Sequence, residues 1–92
     1  MGKLKELRTI NSVQATLFWV AEMSGVEILK SQANTALYYV TRKGDEIGYL
    51  LYRTKKKTLF YRTKFKGAWE PEANPVKALR RLITRYKEEA NA

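Results

Sequence analysis

The sequence predicts an α+β fold: an N-terminal helix, a three-stranded antiparallel meander and a C-terminal helix, in the order αβββα. Three observations predict it. A cap and a glycine stop bracket a helix at 13–24, and a cap followed by proline opens another at 74–75. Residues 35–66 alternate apolar and polar side chains with a period of two. Turn-forming residues then divide that middle segment twice. A length of 92 residues suffices for one domain and is too short for two. The expected organisation is a polar lead over 1–10 and a single domain over 11–92.

The first helix is expected from Val13 to about Ser24. Asn11 or Ser12 supplies a cap, Gln14 stands three residues after Asn11 as in a capping box, and Gly25 provides a left-handed stop. Val13, Leu17, Phe18, Trp19, Val20 and Met23 wrap more than one face, which predicts deep burial. A rival reading makes 13–20 and 26–31 two strands joined by Glu22-Met23-Ser24-Gly25. It gives a five-stranded antiparallel sheet plus a C-terminal helix. Helix is preferred because the cap and the stop agree.

Three strands follow at 35–42, 46–54 and 58–66, with turns at Lys43-Gly44-Asp45 and Lys55-Lys56-Lys57. Gly67 and Pro71 mark a connector containing Trp69. Asn74 caps the last helix, with Pro75 at its first position. Val76, Leu79, Leu82, Ile83, Tyr86 and Ala90 form its apolar stripe, while Glu88 and Glu89 lie unfavourably at its negative end. The two copies of Tyr-Arg-Thr-Lys, starting at 52 and 61, run in opposite directions across a turn and do not signify duplication.

Taking Gly44-Asp45 and 55–57 as the hairpin loops assigns the sheet faces. Tyr38, Val40, Ile47, Tyr49, Leu51, Leu59, Tyr61 and Phe65 would line the face under the C-terminal helix. Leu37, Tyr39, Leu50, Tyr52, Phe60, Arg62 and Lys64 would line the other, mixing rings with cations. A one-residue change in loop length would flip the third strand's set to the opposite side.

Charge points to function. The net charge is +9, and nine basic against two acidic residues fall within 35–66. Such clustering favours a polyanionic partner over general solubility. The expected nucleic-acid-binding residues are Arg42, Lys43, Tyr52, Arg53, Lys55, Lys56, Lys57, Phe60, Arg62, Lys64 and Lys66. Lysines on the 55–57 loop would meet phosphates, and Tyr39, Tyr52 and Phe60, if exposed, would stack on bases. Double-stranded DNA is favoured, with RNA and single strands close behind. A secondary basic row at Lys77, Arg81 and Arg85 reads mainly as the wet face of the last helix. Trp19 and Trp69 read as core or connector anchors. A few of the lysines can also be understood as guards against edge-to-edge strand pairing. The rival functional reading is a small phage- or plasmid-type regulator or inhibitor that docks the same basic surface on an acidic protein. The apolar members of the second face could also pair two copies into a homodimer.

Catalysis is not expected. The chain has no histidine and no cysteine, its single aspartate is Asp45, and neither Gly44 nor Gly48 fits a phosphate-binding glycine motif. No cofactor and no metal site are expected. No apolar run is long enough to span a bilayer. Lys3, Lys5 and Arg8 before an apolar stretch are similar to a signal peptide, but Asn11, Gln14, Thr16 and Glu22 interrupt that stretch, and a cytoplasmic location is expected.

The order helix–three strands–helix over about 13–90 is similar to double-stranded-RNA-binding domains. Its strands-then-helix part resembles the arm-binding domains of phage-type integrases and related plant DNA-binding domains. The RNA-binding family's lysine cluster at the start of its last helix is matched by Lys77, with Arg80 and Arg81 nearby. Its histidine-bearing loop between the first two strands is replaced here by Arg42-Lys43-Gly44-Asp45. The resemblance is one of architecture, and it implies nucleic-acid binding without assigning a family.

Overall fold

The chain begins with a helix, α1 (Gly2–Ser24), and ends with another, α2 (Pro75–Ala90), enclosing a five-stranded sheet. The computed structural model describes residues 2–34, 36–65 and 67–91, with side chains from Ser12 onward. The strands are β1 (Glu27–Lys30), β2 (Leu37–Arg42), β3 (Asp45–Arg53), β4 (Thr58–Thr63) and β5 (Glu70–Glu72). All neighbours are antiparallel, and their order across the sheet equals their order in the chain.

Residues 13–24 are helical rather than extended, but the polar lead is not separate. The helix already includes Gly2, so Asn11 and Ser12 lie inside it rather than at its start. Its end follows the glycine signal. Gly25 takes φ 72°, Val26 N–H donates to the Ala21 carbonyl at 3.0 Å, and Gly25 N–H donates to that of Glu22 at 3.4 Å. These are the two bonds of a Schellman turn. The buried Val26 then leads directly into β1.

The three expected strands are present, and the sheet has the five strands of the rival reading: β1 lies within its 26–31 strand, while the fifth strand is β5 in the connector rather than 13–20. β5 has three residues, too few for a periodic signal to stand out. Pro71 fits in β5 because β5 is an edge, where a missing N–H removes no ladder bond. The two further edge strands take the architecture away from the helix–three strands–helix order, so the resemblance drawn from that order extends only to the part it shares. Thr35, expected to open a strand, lies outside the described residues.

Both helices cover the same face. Leu17, Val20 and Ala21 of α1 join Ala78, Leu79 and Leu82 of α2 over Ile28, Tyr38, Val40, Ile47, Leu50, Leu59 and Tyr61, all of them buried. Fully burying one such aliphatic side chain contributes about 1.5–3 kcal/mol. Asn74 caps α2 as expected: its Oδ1 accepts from Val76 N–H at 2.9 Å and from Lys77 N–H at 3.3 Å, with Pro75 at the first position. The apolar stripe of α2 is seated on the sheet except for Ala90, which is exposed. Glu89, unfavourable by helix dipole alone, accepts from the buried Thr63 hydroxyl at 3.0 and 3.1 Å.

Register corrects the face assignment. The first hairpin closes at Arg42–Asp45, so its loop is Lys43-Gly44 rather than Gly44-Asp45. Both loop residues have positive φ, 51° and 84°, as the favoured two-residue hairpin turn requires. A bulge between Val40 and Thr41 then sets Tyr38 opposite Leu50 and Val40 opposite Gly48. The second hairpin closes at Arg53–Thr58, leaving four loop residues, 54–57, instead of three. Lys57 sits there at φ 49°, and its N–H donates to the Thr54 carbonyl at 3.3 Å. Each shift displaces β3 by one residue relative to a neighbour. Leu50 and Tyr52 therefore face the helices, and Tyr49 and Leu51 face away, the reverse of expectation. β2 and β4 keep their expected faces.

Candidate nucleic-acid interface

Since α1 and α2 pack on one side, the other side of the sheet is uncovered among the described residues. Side chains alternate along each strand, so this open face carries Leu29, Tyr39, Tyr49, Leu51, Phe60 and Arg62. Tyr39 and Tyr49 meet edge to face, with centroids 5.8 Å apart. The Arg62 guanidinium lies 4.7 Å from the Tyr49 ring centre and 5.3 Å from that of Trp69. It thereby ties the 64–69 connector to the sheet by cation–π attraction. The Tyr49 hydroxyl donates to the Glu46 carboxylate, and this bond, with burial as the second cause, raises its pKa above the ordinary tyrosine value.

Where the open face runs out toward the second hairpin it hollows into a groove of about 770 Å³. Leu51, Phe60 and Trp69 provide its apolar surface, and Arg53, Lys55 and Lys56 provide its cations. Ala36, Tyr52 and Thr54 also line it, and no carboxylate does among the described residues. Arg53, Lys55, Lys56 and Lys57 are exposed. The local reason is the tight loop 54–57, which turns the chain through a left-handed residue and leaves the lysines no core to enter.

The groove gathers five of the expected residues: Tyr52, Arg53, Lys55, Lys56 and Phe60. Lys57 stands beside them on the loop. Tyr52 enters from the covered face, half-buried against the core. Arg62 lies on the open face as expected. Arg42 and Lys43 do not join the group, because their hairpin is at the other end of β3. Nine extended residues separate the two turns by roughly 30 Å. Lys64 also departs from expectation. It follows the end of β4, and its ammonium lies 5.2 Å from the Phe65 ring centre and 5.9 Å from that of Tyr86 on α2, on the helix side. Lys66 lies outside the described residues.

The secondary row on α2 is largely engaged within the fold. Arg81 pairs with Glu72 at 3.1 Å and Arg85 with Glu70 at 3.3 Å, so both tie α2 to β5. Arg85 also lies 5.4 Å from the Tyr61 ring centre, and its pKa is raised chiefly by its hydrogen bond to Glu70. Lys77 is exposed in the first turn. These two are the ion pairs found among the described residues, and neither involves the cations of the groove.

Sequence reasoning misplaced one tryptophan and gave only part of the role of the other. Trp19 is 63% exposed on α1, alongside Phe18 and Met23, and is not a core residue. Trp69 is a connector residue as expected, yet it also forms part of the groove. Its signal in the sequence is only a lone indole between Gly67 and Pro71. Nothing there says that β5 folds back beside β4 and brings it into one groove with Phe60.

Compared with known proteins, the chain matches no family model, no curated protein and no solved structure. Among the described residues, no helix is long and apolar enough to cross a membrane, and no three His, Cys, Asp or Glu side chains cluster in a way that could hold a metal ion.

Proposed function

We propose that this chain is a small, non-catalytic nucleic-acid-binding domain that meets its ligand with the β3–β4 hairpin and the adjoining end of the open sheet face. One observation carries the reading. Arg53, Lys55 and Lys56 share a groove with Phe60 and Trp69, and among the described residues no carboxylate lines it. Flexible ammonium groups on an exposed turn reach phosphates and release counterions, a contribution indifferent to sequence. The net charge of +9 supplies long-range attraction in the same direction.

A salt titration tests this. With about four phosphates met by Arg53 and Lys55–Lys57, log affinity should fall against log salt with a slope of roughly −3 to −4. Polyglutamate serves as the competing ligand for the other reading, a basic surface built for an acidic protein. Tighter binding of polyglutamate than of DNA or RNA at equal ionic strength would favour that protein-directed reading and reject the first.

A further inference from the structure

We infer that the groove at the hairpin end takes an unpaired strand, with bases against Phe60 and Trp69 and phosphates at Arg53, Lys55 and Lys56. This rests on the nucleic-acid reading above and narrows it to one ligand class. Composition alone favours duplex DNA, but the placement of the rings argues otherwise.

A duplex offers its partner a wall of phosphates and sugars, with base faces hidden in the stack. Phe60 and Trp69 would gain little against it. An unpaired strand offers every base as a flat apolar surface, and aromatic side chains stack on such bases whatever their sequence. Here the rings and the cations line one concavity of about 770 Å³. Apolar surface and positive charge side by side match the two sides of a single strand, bases and phosphates.

Trp69 is set up to act as a stacking plane. It is 38% exposed although it lies in a connector, and the Arg62 guanidinium holds it from the sheet side at 5.3 Å. A ring already fixed by a cation loses little freedom when a base joins it. The acidic side chain hydrogen-bonded to Tyr49, Glu46, lies toward the opposite end of β3 and does not line the groove. An anionic strand would therefore be drawn to the hairpin end of the open face rather than spread over all of it.

The test compares a labelled thymidylate oligomer of roughly 12 nucleotides with a hairpin duplex of equal phosphate number, using the full chain. The single strand is expected to bind at least about tenfold more tightly. Trp69→Ala should weaken single-strand binding roughly 5- to 150-fold and leave the duplex nearly unchanged. Trp69→Phe, which keeps an aromatic plane, should restore most of the loss. A Trp19→Phe background leaves Trp69 as the chain's one tryptophan, so quenching of its fluorescence by the oligomer reports stacking without relying on the alanine variant's folding. Equal or tighter duplex binding, or unquenched fluorescence at saturating oligomer, overturns the single-strand inference while the nucleic-acid reading stands. Failure of both oligonucleotides to bind overturns both.

Discussion

Gly48 shows how far one residue constrains this fold. A Cβ built there would lie 2.5 Å from the Arg62 carbonyl oxygen and 3.0 Å from a Leu82 methyl. The oxygen belongs to backbone and cannot swing aside, so Gly48 is the point where α2 settles on β3. Gly48→Ala should cost about 1–3 kcal/mol, the usual range for overpacking, read as a lowered urea midpoint. Tyr49 makes a pH-dependent prediction. Its hydrogen bond to Glu46 holds its folded pKa above the unfolded value of 10.0, and burial raises that of Tyr38 likewise. A raised tyrosine pKa contributes stability that is complete below the unfolded pKa and is lost as pH climbs through the folded one. Denaturant melts should therefore show a decline beginning near pH 10, and Tyr49→Phe should make it shallower. An identical decline in the variant would remove Tyr49 from that account.

Among the elements, the β3–β4 hairpin and α2 bear most on the site. Lys55→Ala, Lys56→Ala and Lys57→Ala together should weaken binding to every sequence alike. The salt slope should flatten by up to about three units. Because these side chains are exposed, the melting temperature should hardly move. A large thermal loss would mean the loop is structural. For α2, Asn74→Ala removes an acceptor for two backbone N–H groups and should cost about 1 kcal/mol by chemical denaturation. Oligonucleotide affinity is expected to persist, since α2 lies on the covered face.

At the scale of the whole molecule, one-sided packing decides what is available to a partner. With both helices on one face, the stem of each open-face strand stands over the core while its outward side chains stay accessible. The Arg81–Glu72 and Arg85–Glu70 pairs hold β5, and so the segment carrying Trp69, against α2. Glu70→Gln with Glu72→Gln should reduce stability by no more than about 1 kcal/mol, because the arginines are about half exposed and solvent screens the pairs. The same double variant should loosen the Trp69 side of the groove. Fluorescence from Trp69 in the Trp19→Phe background would then become more accessible to a soluble quencher such as iodide, and unchanged accessibility would show that Arg62 alone fixes the ring.

The α+β class, the helix end at Gly25, the cap at Asn74 and the three long strands were legible in the sequence, because each depends on neighbours a few residues away. So was the concentration of positive charge at 52–66. Tertiary structure alone decided the rest. Two non-glycine residues, Lys43 and Lys57, take left-handed turns, and a bulge interrupts β3. Those three local choices set which side of β3 meets the helices, and no pattern in the chain announces them. The groove depended on contacts still more distant. Trp69 shares the groove with Phe60 only because β5 folds back beside β4, secured by carboxylates paired with a helix that comes later in the chain. Short-range signals specify elements; the pairing of elements far apart in sequence specified the surface.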